Sequence, residues 1–234
     1  YLLLANKVVL LTEQYYKELE QRFKNGFKKN KVDIIPNGIN LKIFDNKKVA
    51  ASATNKIKIG MLSRLSYTKD HATLIKSFAT LKDKAYFPTL ELHLAGDGET
   101  MNALQTLVKE LKIEDQVIFH GMLKEDESVQ FLNQLNLYVH ASLGETMSTS
   151  IMQALSCGLP IIATDIPGIN NLVNGKNGLL FPKSDVKKLA LLLDQLMLDD
   201  EKQKRLSKEA KNYATNNLSN VAMFNKYHNL VNIA

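Results

Sequence analysis

Two cations and one acid are the side chains in this sequence best suited to chemistry. Arg64 and Lys69 stand with four residues between them in the run SRLSYTKD, and Glu145 opens the longer run ETMSTSIMQALSCGLP. A guanidinium binds a phosphate through a planar fork, and an ammonium binds it as a point charge. Both cations lie just before a predicted helix, where the dipole disfavours positive charge by about a few tenths of a kcal/mol. They are therefore odd structural choices and reasonable anion ligands. Two ordinary surface cations on a loop is the competing reading of these residues alone.

Glu145 leads to the small hydroxyl residues Ser148, Thr149 and Ser150, then to an amphipathic run closed by Gly158 and Pro160. Ser148 is suited to cap a helix, Gly158 to leave it and Pro160 to stop it. The start of that helix offers free N–H groups and a positive pole, a place for an anion. Almost every helix has such an end, so only cations elsewhere that share the anion would make it a site. Gln153, over one turn in, can flank with Glu145 a ligand docked at the helix start; in isolation it reads as a partly exposed helix residue.

Other residues carry less. The Gly96-Asp97-Gly98 turn has Met101 where a dinucleotide fingerprint needs its third glycine, so that reading is rejected. Its glycines serve a tight turn or let backbone approach a ligand. His120 precedes Gly121-Met122-Leu123 and reads as a hydrogen-bonded structural histidine, and Gly121 permits close backbone contact. His71, His93, His140 and His228 fall on strands, helices or helix starts without metal-ligand spacing, so no metal site is expected. Cys157 has no histidine nearby in sequence and reads as a small buried hydrophobe rather than a nucleophile.

These residues need a frame. Residues 7–12, 32–35, 57–62, 90–95, 117–119, 137–140, 160–163 and 179–181 read as strands. Helices are expected over 13–23, 70–82, 99–112, 125–135, 148–157, 185–197, 201–216 and 219–232, with a short one near 168–173 and with Ser184 and Ser219 as caps. Residues 45–56 read as a polar linker. Strands alternating with helices make βαβ units, an α/β fold with a parallel, doubly wound sheet. Ligands then bind where strands lead into helices, at the loops carrying Arg64, Gly96, His120 and Glu145.

Bulk properties set limits. The 234 residues carry a formal charge of +6, which suits nucleic acid, an anionic membrane surface or a phosphorylated small molecule. Basic runs are not interleaved with aromatics, as a single-strand binder requires, so no nucleic-acid partner is expected. The single cysteine leaves no internal disulfide, and a reducing, cytoplasmic compartment is the default. No apolar run approaches the roughly 18 residues that span a bilayer. The chain starts with Tyr1 and no secretory signal is visible, and it is expected to be a piece of a longer protein. The basic run Arg22, Lys24, Lys28, Lys29 and Lys31 reads as a solvated face, with contact to anionic lipid as the minority reading.

In order, SRLSYTKD, AGDGE, VIFHGML and GETMSTSIMQALSCGLPIIATDIPG resemble the nucleotide-sugar domain of retaining GT-B glycosyltransferases of family 4, the glycosyl transferases group 1, over roughly residues 33–217. The resemblance implies a Rossmann-like domain that is one half of a GT-B fold. It implies that Arg64 and Lys69 bind the donor diphosphate, that Glu145 contacts the donor sugar, and that backbone N–H groups of Met147, Ser148 and Thr149 meet the phosphate. Base recognition would run through backbone near Gly121, Met122 and Leu123. The family's second acid, which holds the ribose hydroxyls, falls on Gln153, and Thr146-Met147-Ser148 departs from the common Gly-Phe-Gly. An amide offers one acceptor and one donor where a carboxylate accepts from both hydroxyls, which implies donor binding weaker by about 1 kcal/mol.

By the same resemblance the donor is a UDP- or GDP-linked sugar, with no separate cofactor and no metal, and the sugar passes with retention to a glycan or lipid-linked acceptor, as in polysaccharide biosynthesis. Residues 1–30 would be the tail of an otherwise missing N-terminal acceptor domain, 31–217 the donor domain and 218–234 a helix packing back toward the former. This stretch alone is expected to bind nucleotide and transfer no sugar. Gln153 keeps open a non-catalytic nucleotide-sugar binding or partner subunit. An epimerase or phosphorylase would need a catalytic carboxylate, or a phosphate or pyridoxal site, that the sequence does not offer.

Overall fold

The computed structural model describes residues 5–23, 29–44 and 56–232. The predicted linker therefore lies outside the described residues except for Lys56, as do Lys24 and Lys28 of the basic run. Six parallel strands form the main sheet: β3 (Ile57–Leu62), β4 (Leu90–Ala95), β5 (Val117–Gly121), β6 (Leu137–His140), β7 (Ile161–Thr164) and β8 (Leu179–Phe181). Their apolar residues do not alternate cleanly because helices cover both faces. Ile59, Met61, Val139 and Ile162 pack on one side against α2 (His71–Ala79), α3 (Met101–Leu111) and α6 (Val186–Met197). Tyr138, Ile161 and Ala163 pack on the other against α4 (Glu125–Gln134), α5 (Thr149–Ser156) and α7 (Asp200–Asn217).

The strand order is β5-β4-β3-β6-β7-β8. The chain winds outward from β3 through β4 to β5, then returns to lay β6 on the other side of β3, with Ile59 and Gly60 opposite Leu137 and Tyr138. This reversal opens a crevice at the carboxyl ends of β3 and β6, the place where doubly wound sheets bind ligands. The loops leaving those two strands carry Arg64 and Glu145.

A separate parallel pair, β1 (Val8–Leu10) with β2 (Val32–Ile34), is joined through α1 (Glu13–Phe23). From β2 the chain turns at Pro36-Asn37-Gly38 and bridges through Ile39 to Ser219, ahead of α8 (Asn220–Asn232). That helix exposes Val221, Phe224 and Val231.

Two local expectations are corrected. Residues 168–173 form successive turns rather than a short helix. Gly168 sits at φ +83, and a Cβ there would lie 2.4 Å from the Glu145 carbonyl oxygen, so the backbone is committed to a close approach instead of a helical turn. Asp185, not Ser184, caps α6 by accepting from the Lys188 N–H at 2.8 Å; Ser184, at φ 58, donates its hydroxyl to Asp70 at 2.9 Å.

Candidate functional site

Each site loop is fixed by an identifiable device. After β3, the Ser63 and Leu65 N–H groups donate to the carbonyls of Ala95 and Asp97 at 3.0 and 2.9 Å. A Cβ on Gly96 or Gly98 would stand 1.9 Å from the Ser63 oxygen or 2.3 Å from the Leu65 oxygen. These glycines therefore admit the backbone that carries Arg64. His71, at the start of α2, ties back to the same loop through Nε2, 3.1 Å from the Ser63 hydroxyl.

After β6, Leu143 N–H and Ser142 hydroxyl both donate to the Thr68 carbonyl, at 2.8 and 3.1 Å. Ser148 caps α5, with Oγ accepting from the Ile151 N–H at 3.4 Å. The helix ends as its sequence predicts: Gly158 at φ 69, with Gly158 N–H on Leu155 and Leu159 N–H on Ala154, is a Schellman closure. Ser148, Thr149 and Ser150, at the start of this helix, line the crevice.

The crevice is a cleft of about 490 Å³. Arg64, Lys69, Gly96, Met122, Leu123, Glu145, Met147, Ser148, Thr149 and Gln153 all line it, so the structure brings together residues from four loops. Gly121 stands just outside the lining, at φ 68, with its carbonyl accepting from Gly96 at 2.7 Å. Met147 turns its side chain into the core, where its sulfur accepts from the Asn37 N–H at 3.4 Å. Asp97 and Ser150, named in sequence only as part of a turn and of a helix start, also reach the cleft, as does Ser128, which sequence did not single out.

Electrostatics centre on Glu145. Its Oε1 takes the Lys69 ammonium and, at 2.7 Å, His140 Nε2. Burial alone would raise the Glu145 pKa, but the hydrogen bonds from His140 and Lys69 outweigh it and hold the carboxyl below its usual range. Among the described residues the Arg64 guanidinium has no carboxylate within ion-pair distance. Sequence reasoning passed over His140, which closes β6 and is fully buried, and Tyr15 of α1, whose hydroxyl reaches the Thr146 carbonyl at 3.1 Å.

The remaining residues fall where their chemistry sends them. His120 and His93 meet at 2.9 Å between ring nitrogens, the structural role expected of His120. Burial pushes the Cys157 thiol up to about 12, which suits an inert residue. Lys29 pairs with Glu13 at 3.4 Å and Lys31 donates to the Ala5 carbonyl at 3.1 Å, so part of the basic run is engaged locally. Among the described residues no group of three or more metal-ligating side chains is gathered, and no helix is long and apolar enough to cross a membrane.

The buried His71 yields a prediction. Burial lowers its pKa from 6.5 to about 4. The unfolded chain takes up this proton first, so stability is full above pH 6.5, falls as pH drops toward 4 and levels off below. The loss attributable to His71 is about 3 kcal/mol. Urea unfolding at pH 7 and pH 4.5 is expected to show a steeper loss for the natural chain than for His71→Gln.

The family model described as glycosyl transferases group 1 matches residues 42–213. The chain belongs to this family. As a group 1 glycosyltransferase sequence it is 31% identical over 155 residues to the alpha-monoglucosyldiacylglycerol synthase of Streptococcus pneumoniae, covering 61% of this chain and 34% of that protein. It is 32% identical over 168 residues to an uncharacterized glycosyltransferase of Methanocaldococcus jannaschii, covering 69% and 40%. The chain thus spans well under half of these relatives. Among solved structures, Anabaena HepE in complex with UDP superposes with a TM-score of 0.88 at 22% identity, over 98% of this chain and 64% of that one. That likeness is one of fold, half of the GT-B architecture.

Proposed function

We propose that the cleft is the donor site of a glycosyltransferase that binds a nucleoside-diphosphate sugar and passes the sugar, with retention, to an acceptor held largely by chain beyond this stretch. The observation that carries this reading is the meeting of Arg64, Lys69, Glu145 and the start of α5 in one cleft at the strand-order reversal. As the glycosidic bond to the diphosphate breaks, negative charge gathers on the leaving oxygen. Arg64, Lys69 and the first-turn N–H groups of α5 stabilise that charge, preorganised by the sheet. Glu145 holds the sugar, Gln153 the ribose, and the backbone of Met122 and Leu123 the base.

UDP is the favoured nucleotide, since HepE binds it on this fold, with GDP as the competitor. The acceptor is a glycan or a lipid-linked saccharide, the latter suggested by the diacylglycerol in the pneumococcal relative's name, and the setting is cytoplasmic, peripheral to the membrane. Residues 1–30 belong to the acceptor side and 218–234 pack back toward it. The isolated chain binds nucleotide and transfers nothing.

Gln153 favours a second reading, a non-catalytic nucleotide-sugar binding subunit. A thermal-shift panel of UDP, GDP and their sugars tests the donor reading, since a ligand bound to the native state raises its apparent stability. Stabilisation by one nucleotide family supports it, and none by any would remove it. Gln153→Glu is expected to tighten the stabilising nucleotide by about 1 kcal/mol, roughly fivefold, by calorimetry. Tight binding with no transfer by the full-length protein would favour the second reading.

A further inference from the structure

We infer that His140 is a positioning residue that keeps Glu145 ionised and aimed into the cleft when Lys69 turns from it to the donor diphosphate. The role rests on the donor-site reading above. One carboxylate oxygen, Glu145 Oε1, serves both Lys69 and His140. These two partners differ in freedom. Lys69 is a flexible side chain, 22% exposed at the cleft, whereas His140 ends a central strand at 0% exposure. When a diphosphate enters, the ammonium has a denser anion to bind. Glu145, only 9% exposed, then loses a cation and gains a negative neighbour. Both changes favour its neutral form, and a protonated, turned carboxyl is a poorer acceptor for the hydroxyls of a sugar. The imidazole N–H is the partner that stays.

The surroundings of His140 allow it to donate to Glu145. Glu145, Tyr138 and Ser148 face it directly, at 2.7 Å, 3.2 Å and 3.4 Å; Lys69 bears on it through its charge, and His71 does so only where that ring is protonated, toward pH 4. Burial foremost, with the Lys69 charge, lowers its pKa and favours neutral imidazole. A neutral ring that donates from Nε2 must accept at Nδ1, and the Tyr138 hydroxyl stands there to give that proton. Tyr138 is itself held by core packing, with the Leu62 carbonyl 3.2 Å from its hydroxyl as the alternative acceptor. His140 lines no part of the cleft, so it acts on a donor through the lining residues it touches, Glu145 at 2.7 Å and, at longer range, Ser148 at 3.4 Å.

The test isolates the state in which Lys69 has left. In Lys69→Met, His140 is the remaining partner, and the Glu145 side-chain carboxyl is followed by carbon NMR through a pH titration without nucleotide. Adding His140→Leu is expected to raise its midpoint by about one to two pH units. His140→Gln in the same background, whose amide N–H can reach the same oxygen, should restore most of the shift. Equal midpoints with and without His140→Leu in folded protein would overturn the role, as would failure of the glutamine variant to differ from the leucine one. In parallel, UDP and GDP are titrated calorimetrically in two buffers of different ionisation enthalpy. The natural chain is expected to bind with almost no proton uptake by Glu145, and His140→Leu with an uptake that grows as the pH is lowered from 7 toward 5. If the natural chain binds neither nucleotide, the donor reading falls and this role with it, a failure told apart because the NMR titration contains no nucleotide.

Discussion

Arg64→Ala is expected to weaken binding of a nucleoside diphosphate about 10–100-fold while leaving the matching nucleoside unchanged. The guanidinium is exposed at the cleft and, among the described residues, has no ion pair to surrender before it meets a phosphate. Its charge-assisted bonds to the diphosphate therefore count almost in full, about 1.5–3 kcal/mol. Lys69→Ala should cost less, because the natural lysine must first give up part of its pairing with Glu145. Calorimetry with UDP and uridine, and with GDP and guanosine, checks both variants. Equal losses for nucleotide and nucleoside would mean that the cations support the fold rather than the ligand.

Gly168→Ala is expected to be the most damaging small change near the site. The position has φ +83, and the new Cβ would lie 2.4 Å from the Glu145 carbonyl oxygen and 2.6 Å from that of Thr146. Those neighbours are backbone and cannot rotate away. Left-handed backbone in a non-glycine residue costs about 1–2 kcal/mol and overpacking about 1–3 more. The sum, about 2–5 kcal/mol, corresponds to a fall in Tm of about 10 °C for a chain of this size. Gly175→Ala is the control, since a Cβ there meets nothing within 4 Å. Donor binding should fall with Gly168→Ala as well, because relief of the clash moves the loop that carries Glu145. A Tm within a degree or so of the Gly175→Ala control would show that the turn has room to yield.

The sheet was legible because its strands are short apolar runs set between helical patterns, and β3, β4 and β6 match the ranges read from sequence. Alternation alone does not say on which side of β3 the chain lays β6. That side decides whether the Arg64 and Glu145 loops are neighbours, and it is a property of packing. The glycines at 96, 98 and 168 were visible as residues, but the backbones they admit come from distant loops. His140 had a usable signal: a polar ring at the end of an otherwise apolar strand, LYVH, must find a partner when buried, and a carboxylate follows five residues later. Tyr15 had none, since its contact spans 131 residues of sequence. Residues 168–173 were misread as helical because their apolar spacing fits a turn of helix, while Pro167-Gly168 and the Glu145 carbonyl dictate otherwise.

The most direct test of the donor site is amide NMR of the chain titrated with UDP and with GDP. The cleft between the exits of β3 and β6 predicts shift changes at Arg64, at Met122 and Leu123, and at Met147 to Thr149 for the nucleotide that binds. Changes confined to a second cleft, about 310 Å³ between β2 and α8 and lined by Asp33, Ile35, Lys226 and Leu230, would contradict it.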